Sequence, residues 1–313
     1  MRVSKVCVLG GSGFVGRHVL QLLARAGVAA RVPVRDRERA KRDLIILPAV
    51  DLVAADVHDP AQLADLLSGV DAVINLVAIL HEHGRGEFER VHVELPRKIV
   101  EACRTRGVRR LVHVSALNAA ADGPSLYLRT KGEAEALLRA ATDLDVTIFR
   151  PSVIFGRGDS FLTLFALLQR WLPLVALGSP NARFQPVYVG DVAQALAASL
   201  ADVGTFGQGY DLCGPKVYTL RELVALAGRL SGHPRPIVGL PDGLSYLQAA
   251  AMEWLPVKLL TRDNYNSMKQ DSVCRCPFPF GIEPEPLEAI APTYLAPSGP
   301  RVRYRLFRDR AGR

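Results

Sequence analysis

Tyr127 and Lys131 stand four residues apart in the run Tyr127-Leu128-Arg129-Thr130-Lys131. On a helix, positions i and i+4 share a face, so the phenol and the ammonium point at one place. A cation beside a tyrosine favours the phenolate, lowers the phenol pKa toward neutrality and makes a proton donor or acceptor. Ser115 closes the β-rich run Arg110 to Val114. A hydroxyl at the carboxyl end of a strand can hold a substrate carbonyl. The three residues together suit proton transfer at a carbonyl or alcohol. A Tyr-x-x-x-Lys pair is a common accident, however, and its meaning depends on where it lies.

A second constellation supplies that setting. Glycines fall at 10, 13 and 16 in Gly10-Gly11-Ser12-Gly13-Phe14-Val15-Gly16, directly after a strand signal and before a helix signal. Gly10 permits the tight turn, Gly13 lets backbone amides approach a pyrophosphate, and Gly16 lets helix and strand pack closely. The amides at the helix start, Phe14 and Val15 among them, face the phosphate with a partial positive charge. The end of the second strand distinguishes the two dinucleotides, because an acidic residue suits the ribose hydroxyl of NAD and an arginine suits the extra phosphate of NADP. Here the sequence reads Pro33-Val34-Arg35-Asp36-Arg37, with Arg17 near the turn. Guanidinium groups match a dianionic phosphate. The expectation is NADP(H) over NAD(H), with Arg35 reading the phosphate; a register shift of one would make Asp36 the ribose acceptor.

The elements that must position these groups alternate. Strand signals cover Val3 to Leu9, Ala30 to Val34, Leu52 to Ala55, Asp71 to Leu76, Arg110 to Val114 and Val146 to Phe149. Helical signals cover Phe14 to Ala26, Arg37 to Leu47, Pro60 to Ser68, Glu87 to Thr105 and Tyr127 to Ala140. Parallel strands joined by right-handed helical crossovers follow, an α/β doubly wound Rossmann sheet. After Pro151 come helices at Phe161 to Trp171, from Asp191 and at Leu220 to Leu230, with strands at Phe184 to Val189 and Tyr210 to Leu212. From Ser231 the prolines crowd and prevent long regular elements. Residues 1–160 are therefore expected to form the dinucleotide-binding domain, with 184–212 returning to it. Residues 161–183 and 213–300 form a smaller irregular lobe, and 301–313 a basic tail.

Composition is that of an ordinary globular chain. The last thirteen residues carry six arginines against Asp309, a net +5 of the formal +8, which leaves the rest near +3. No general nucleic-acid footprint exists. The tail suits a solvated end or contact with anionic lipid or an acidic partner. The five cysteines have no framework spacing, and Cys274-Arg275-Cys276 lacks the second pair a zinc site needs. With no room for a signal peptide before the first strand and no apolar run long enough to span a bilayer, the expectation is a cytoplasmic, reducing location. His81-Glu82-His83 reads as loop chemistry rather than metal binding, and Asp143 and Asp145 as solvent-facing turn residues. The stretch Leu244 to Leu260, with Tyr246, Met252 and Trp254, suits core packing or a substrate lid, or else an interfacial helix at a membrane.

With the pair placed on the helix after the fifth strand, the sequence resembles the short-chain dehydrogenase/reductase superfamily, of the extended, epimerase-like kind. The resemblance covers most of the chain. It includes the glycine turn, Asp56-Val57 as the adenine contact, Asn75-Leu76-Val77-Ala78 at the fourth strand, and Ser115, Tyr127 and Lys131. It continues through Arg150-Pro151-Ser152-Val153-Ile154-Phe155-Gly156, which in that family lies by the nicotinamide, and Pro186 to Ala193. Ile79 departs from the usual glycine, only eleven residues separate Ser115 from Tyr127, and the supporting asparagine of the tetrad cannot be assigned. These departures, with Ser115-Ala116-Leu117 and Leu260-Thr261-Arg262-Asp263-Asn264, are similar to the atypical branch that includes the nucleotide-binding accessory subunit of respiratory complex I and its bacterial relatives.

The resemblance implies three function classes. One is an oxidoreductase or sugar-nucleotide epimerase-like enzyme acting on a small molecule, with Tyr127 transferring the proton and Lys131 binding the ribose. Another is an accessory or assembly protein of the respiratory chain or a quinone pathway, with a retained structural dinucleotide and a peripheral place at the inner face of a membrane. The third is a redox-sensing regulator. The C-terminal lobe should set substrate choice, and Arg183, Gln185 and Tyr188 are its candidate polar contacts.

Overall fold

The computed structural model describes residues 3–44, 47, 49–254 and 260–296. The basic tail, the far end of the Leu244 to Leu260 stretch and the last helical positions before Leu47 lie outside the described residues. The first half runs β1 (Lys5–Leu9), α1 (Phe14–Arg25), β2 (Ala29–Val34), α2 (Arg37–Leu44), β3 (Val50–Ala54), α3 (Pro60–Leu66) and β4 (Ala72–Asn75). It continues through α4 (Glu87–Glu89), α5 (Leu95–Arg106), β5 (Arg110–Val114), α6 (Leu126–Ala140) and β6 (Asp145–Pro151). The long helix expected over Glu87 to Thr105 is interrupted: Arg90–Glu94 form a π-helical turn between α4 and α5. Single π turns of this kind widen a helix locally and gather at functional sites.

The second half runs β7 (Ile154–Phe155), α7 (Phe161–Trp171), β8 (Val175–Leu177), β9 (Arg183–Phe184), β10 (Val187–Tyr188) and α8 (Val189–Ser199). Then follow β11 (Gly209–Leu212), β12 (Tyr218–Thr219), α9 (Leu220–Ser231), β13 (Ile237–Gly239), α10 (Asp242–Met252), α11 (Arg262–Ser267), α12 (Leu287–Ile290) and α13 (Pro292–Leu295). The strand expected over Phe184 to Val189 is two separate two-residue strands, because Pro186 cannot donate to a ladder.

Seven parallel strands form one sheet in the order β11-β6-β5-β4-β1-β2-β3. The order reverses between β1 and β4, which opens a crevice at the carboxyl ends of those strands. Alternation along each strand splits the core into two layers. Val6, Val8, Ile74 and Val112 pack with Val19 and Leu23 of α1 and Val192 and Leu196 of α8. Cys7, Leu9, Val73 and Leu111 pack with Leu63 of α3, Ile99 and Cys103 of α5, and Leu138 of α6. A third cluster, Phe155, Leu162, Tyr218, Leu223, Leu287 and Leu295, builds the C-terminal lobe around α7 and α9.

The cysteines correct the sequence reading. Cys213, directly after β11, is disulfide-bonded to Cys274, with Cα atoms 5.9 Å apart across a sequence separation of 61. The pairing is made by tertiary approach of two distant segments, so local spacing could not reveal it. Cysteine usage therefore gives no support to a reducing compartment. Among the described residues, no group of histidine, cysteine and carboxylate side chains could hold a metal, and no helix is long and apolar enough to cross a membrane.

Candidate functional site

The crevice begins with the glycine turn. Gly10 has φ +79°, which L side chains rarely adopt, and a Cβ there would meet the Leu76 carbonyl carbon at 3.1 Å. A Cβ on Gly16 would fall 2.5 Å from the Gly10 oxygen and from Gly11 Cα, so helix and turn meet backbone to backbone. Gly13 is the N-cap of α1 with no side-chain capping bond, and the first turn holds no acidic residue. The amides of Phe14, Val15 and Gly16 thus begin a helix without a protein anion, a cradle shaped for phosphate. Arg35 follows β2 immediately and is exposed. The Asp36 carboxylate accepts the Arg39 N–H at 3.0 Å and so caps the start of α2, which occupies the alternative ribose acceptor locally. Asp56 is exposed beyond β3, and its carboxylate accepts the His58 N–H at 2.9 Å. Val57 and Leu76 are half-buried at the rim and Ala78 is exposed there. Pro151 is buried and Val153 half-buried at the end of β6.

Beneath that rim, between the sheet and α6, lies a buried polar layer that sequence reasoning did not assemble. Asn75 ends β4; its amide donates to His113 Nδ1 at 3.1 Å, and its Oδ1 accepts the Val77 N–H at 3.1 Å. His113 therefore carries its proton on Nε2, which has no partner. The π-helical turn delivers His92, whose Nε2 accepts the Ile79 N–H at 3.2 Å while Nδ1 lies 3.1 Å from Thr130 Oγ1. Burial, reinforced by the Lys131 charge, pushes His92 down to about 2 and His113 well below its usual value, so both rings are neutral. The available signals were a histidine inside an otherwise apolar strand and another on the buried face of a helix. Each alone reads as ordinary core.

Lys131 is 1 % exposed and donates to the Val114 carbonyl at 3.1 Å, at the carboxyl end of β5. Burial lowers it to about 8 despite the nearby Glu135 carboxylate. Glu135, one turn further along α6, is held by Arg150 of β6 through bonds of 2.8 and 2.9 Å, which fixes the register of α6 against the sheet. Ser115 is buried and its hydroxyl has no partner. Lys131 and Ser115 thus meet where β5 ends. Tyr127 sits at the same end of α6, its ring edge-on to His92 at 5.4 Å and to Phe88 at 6.0 Å.

The phenol is not driven toward neutrality as the Tyr-Lys spacing suggested. Burial first, and the Asp263 carboxylate second, push Tyr127 up to about 12. Lys131 is turned to the Val114 carbonyl, and the charge that acts on the phenol comes from the C-terminal lobe. Tyr127 is consequently a neutral phenol at physiological pH, a proton donor in its resting state. Of the candidate lobe contacts, Gln185 is committed to structure, donating to the Gly214 carbonyl at 2.6 Å and accepting the Cys274 N–H at 3.0 Å. Arg183 lies 4.0 Å from Asp271, and Tyr188 is half-buried against Phe155. In the His81 loop, Glu82 accepts the Phe88 N–H at 2.8 Å and Glu87 accepts the His83 N–H at 2.7 Å, which is loop chemistry.

A reversed parallel sheet, a glycine cradle and a Ser-Tyr-Lys set at the end of β5 define a Rossmann-type, nicotinamide-dinucleotide-binding protein of the short-chain dehydrogenase/reductase kind. Residues 6–212 match the model of the NAD dependent epimerase/dehydratase family, and the chain belongs to that family. It is 32% identical over 261 residues to the mitochondrial NADH dehydrogenase [ubiquinone] 1 alpha subcomplex subunit 9 of Arabidopsis thaliana, covering 80% of this chain and 64% of that protein. It is 32% identical over 251 residues to the ceramide reductase of Caulobacter vibrioides, covering 76% of this chain and 74% of that protein. The chain thus spans less than two thirds of the Arabidopsis subunit. Among solved structures, the UDP-glucose 4-epimerase of Thermus thermophilus in complex with NAD superimposes with a TM-score of 0.62 at 20% identity, over 85% of this chain and 99% of that one. At that identity the likeness speaks for the fold.

Proposed function

We propose that the chain binds NADP(H) along the glycine turn and the rim formed by Arg35, Asp56, Val57, Leu76, Ala78, Pro151 and Val153. Ser115, Tyr127 and Lys131 then act on a carbonyl or alcohol. The observation that carries this reading is the pair of buried, unpartnered polar atoms beside Lys131, Ser115 Oγ and His113 Nε2. Buried polar groups left unmade cost about 1–3 kcal/mol each, so such a cluster is kept where a ligand satisfies it. NADP(H) is favoured because Arg35 stands free of the sheet while Asp36 caps α2. A bound nicotinamide supplies the hydride donor or acceptor. Ser115 donates a hydrogen bond to the substrate oxygen, Tyr127 gives or takes the proton there, and Lys131 holds the ribose hydroxyls. Relatives whose names are ceramide reductase and sterol demethylase protein B favour an apolar, lipid-like substrate. The test is mass spectrometry of the co-purifying nucleotide, then titration of stripped protein with NADPH and NADH. Equal affinity for both would sink the NADP assignment. Tyr127→Phe should abolish turnover and spare nucleotide binding.

A second reading is an accessory protein with a retained dinucleotide, placed at the inner face of a membrane beside a respiratory complex. It is favoured by likeness to the complex I subunit and by large apolar side chains exposed on the lobe. Among them are Trp171 (74%), Leu172, Leu174, Leu244, Leu247 and Trp254 (91%). Aromatic and aliphatic side chains of this kind suit a bilayer interface. Flotation with anionic vesicles tests the placement, and no binding would remove it. Nucleotide that resists exchange would support the accessory role, and rapid exchange would support the enzyme.

A further inference from the structure

The segment Thr261-Arg262-Asp263-Asn264, singled out in the sequence, reaches the site above through the charge of Asp263, and it is also fastened to it through the backbone. The Asp263 carboxylate accepts the backbone N–H of Leu126 at 2.6 Å through Oδ1 and that of Tyr127 at 3.1 Å through Oδ2. These are the first two residues of α6, and the N-cap Ser125 accepts the Leu128 N–H at 3.1 Å. The first three amides of the helix are therefore all engaged, two of them by a residue 136 to 137 positions later in the chain. Ser267, one turn along α11, donates to Ser125 Oγ at 2.8 Å. Thr261 and Asn264 close a capping box that fixes the start of α11 itself.

A carboxylate at a helix N-terminus is stabilised by the free amides and by the helix dipole. In most helices a residue of the same helix supplies it. Here the C-terminal lobe does, so the first two amides of α6 lose their acceptor if α11 leaves, and only the Ser125 cap remains. The titratable groups that act on the Tyr127 ring are few: His92 from the π-helical turn, which is neutral, and Asp263, while Lys131, one turn on, is turned to the Val114 carbonyl. Asp263 thus brings the negative charge that acts on the phenol.

We propose that Asp263 is a positioning residue that couples docking of the C-terminal lobe to the placement and acidity of Tyr127, so that docking the lobe and setting the phenol are one event. Docked, the lobe holds the backbone of Tyr127 and sets a carboxylate beside it. Undocked, the Leu126 and Tyr127 amides lose their acceptor, only the Ser125 cap remains, and the titration of the phenol moves down toward its ordinary range. The inference rests on Tyr127 being the proton-transfer residue, and it is tested without turnover so that the two readings fail separately.

The probe is full-length protein with 3-fluorotyrosine at position 127, which is more acidic than tyrosine and keeps the titration within the range the fold survives, read by fluorine NMR. Asp263→Asn removes the charge and should shift the titration of position 127 down by roughly one pH unit, the size of an ordinary charge effect in proteins. Ser267→Ala loosens the dock but leaves the charge, and should speed amide exchange at Leu126 to Leu128 without moving the titration. Asp263→Glu should restore most of both. An unchanged titration in Asp263→Asn would overturn the proposal. So would unchanged exchange at the start of α6 in both Asp263→Asn and Ser267→Ala.

Discussion

Replacing Lys131 by methionine should stabilise the empty protein while removing its response to nucleotide. Lys131 is 1 % exposed, donates to one backbone carbonyl, and is lowered from 10.5 to about 8. Keeping it charged at neutral pH therefore costs the folded state about 3 kcal/mol. Methionine has a similar volume and flexible packing, and the lost hydrogen bond gives back only about 1 kcal/mol. The variant should gain about 2 kcal/mol at pH 7, read as a higher urea midpoint by circular dichroism. The pH dependence supplies the sign. Because the folded pKa lies below the unfolded one, the unfolded chain holds more protons between about 8 and 10.5, and wild-type stability rises with pH through that window. The advantage of Lys131→Met should accordingly shrink over the same range. With NADPH at a thousandfold excess over its dissociation constant, the wild type should gain about 4 kcal/mol, and the variant far less. A variant less stable than wild type at pH 7, or one with the full NADPH response, would refute the assignment of Lys131 as a strained, ligand-holding group.

The remaining predictions concern the rim and the lobe. Arg35→Glu should weaken NADPH roughly 10- to 100-fold, the worth of a charge-assisted hydrogen bond, and leave NADH nearly unchanged in the same calorimetric titration. Gly16→Ala puts a Cβ 2.5 Å from backbone atoms of Gly10 and Gly11 and should cost roughly 3 kcal/mol together with nucleotide affinity, measured by denaturation and binding. Peptide mapping of unreduced protein should find Cys213 joined to Cys274. Cys213→Ser should lower stability by up to ~4 kcal/mol, the loop-closure value for a separation of 61 residues.

What the sequence made legible is local. The glycine turn, Ser115 at the end of β5 and the placing of Tyr127 and Lys131 on α6 are each specified by neighbours within a few residues, and each falls on the element expected of it. The parallel sheet follows from alternating periodicity. What escaped depends on groups far apart in the chain. His92 and His113 become a polar layer only when β4, β5 and the π-helical turn meet around Lys131. The direction of the Tyr127 shift was misread because i and i+4 placement shows which groups share a face but not where each side chain turns. The disulfide escaped for the same reason, since its two cysteines approach through the packing of Ser272 against Arg183 and Ser152.

On the proposed assignment, the buried layer also gives the dinucleotide a role in the stability of this fold under either function. Ser115 Oγ and His113 Nε2 are unpartnered, and Lys131 holds a charge at the cost worked out above. A packed apolar layer in the same place would be more stable, as replacement of buried charges by hydrophobic groups often is. A chain that keeps these groups gives up stability when empty and recovers it when a polyhydroxylated, phosphate-bearing ligand meets them. On the proposed reading, binding and folding are then linked through the same side chains, and loss of nucleotide loosens the layer beneath α6. Hydrogen exchange with and without NADPH should show protection concentrated at α6, the π-helical turn and the end of β5. Protection spread evenly over the sheet would mean that the ligand stabilises the fold only by mass action and not through this layer.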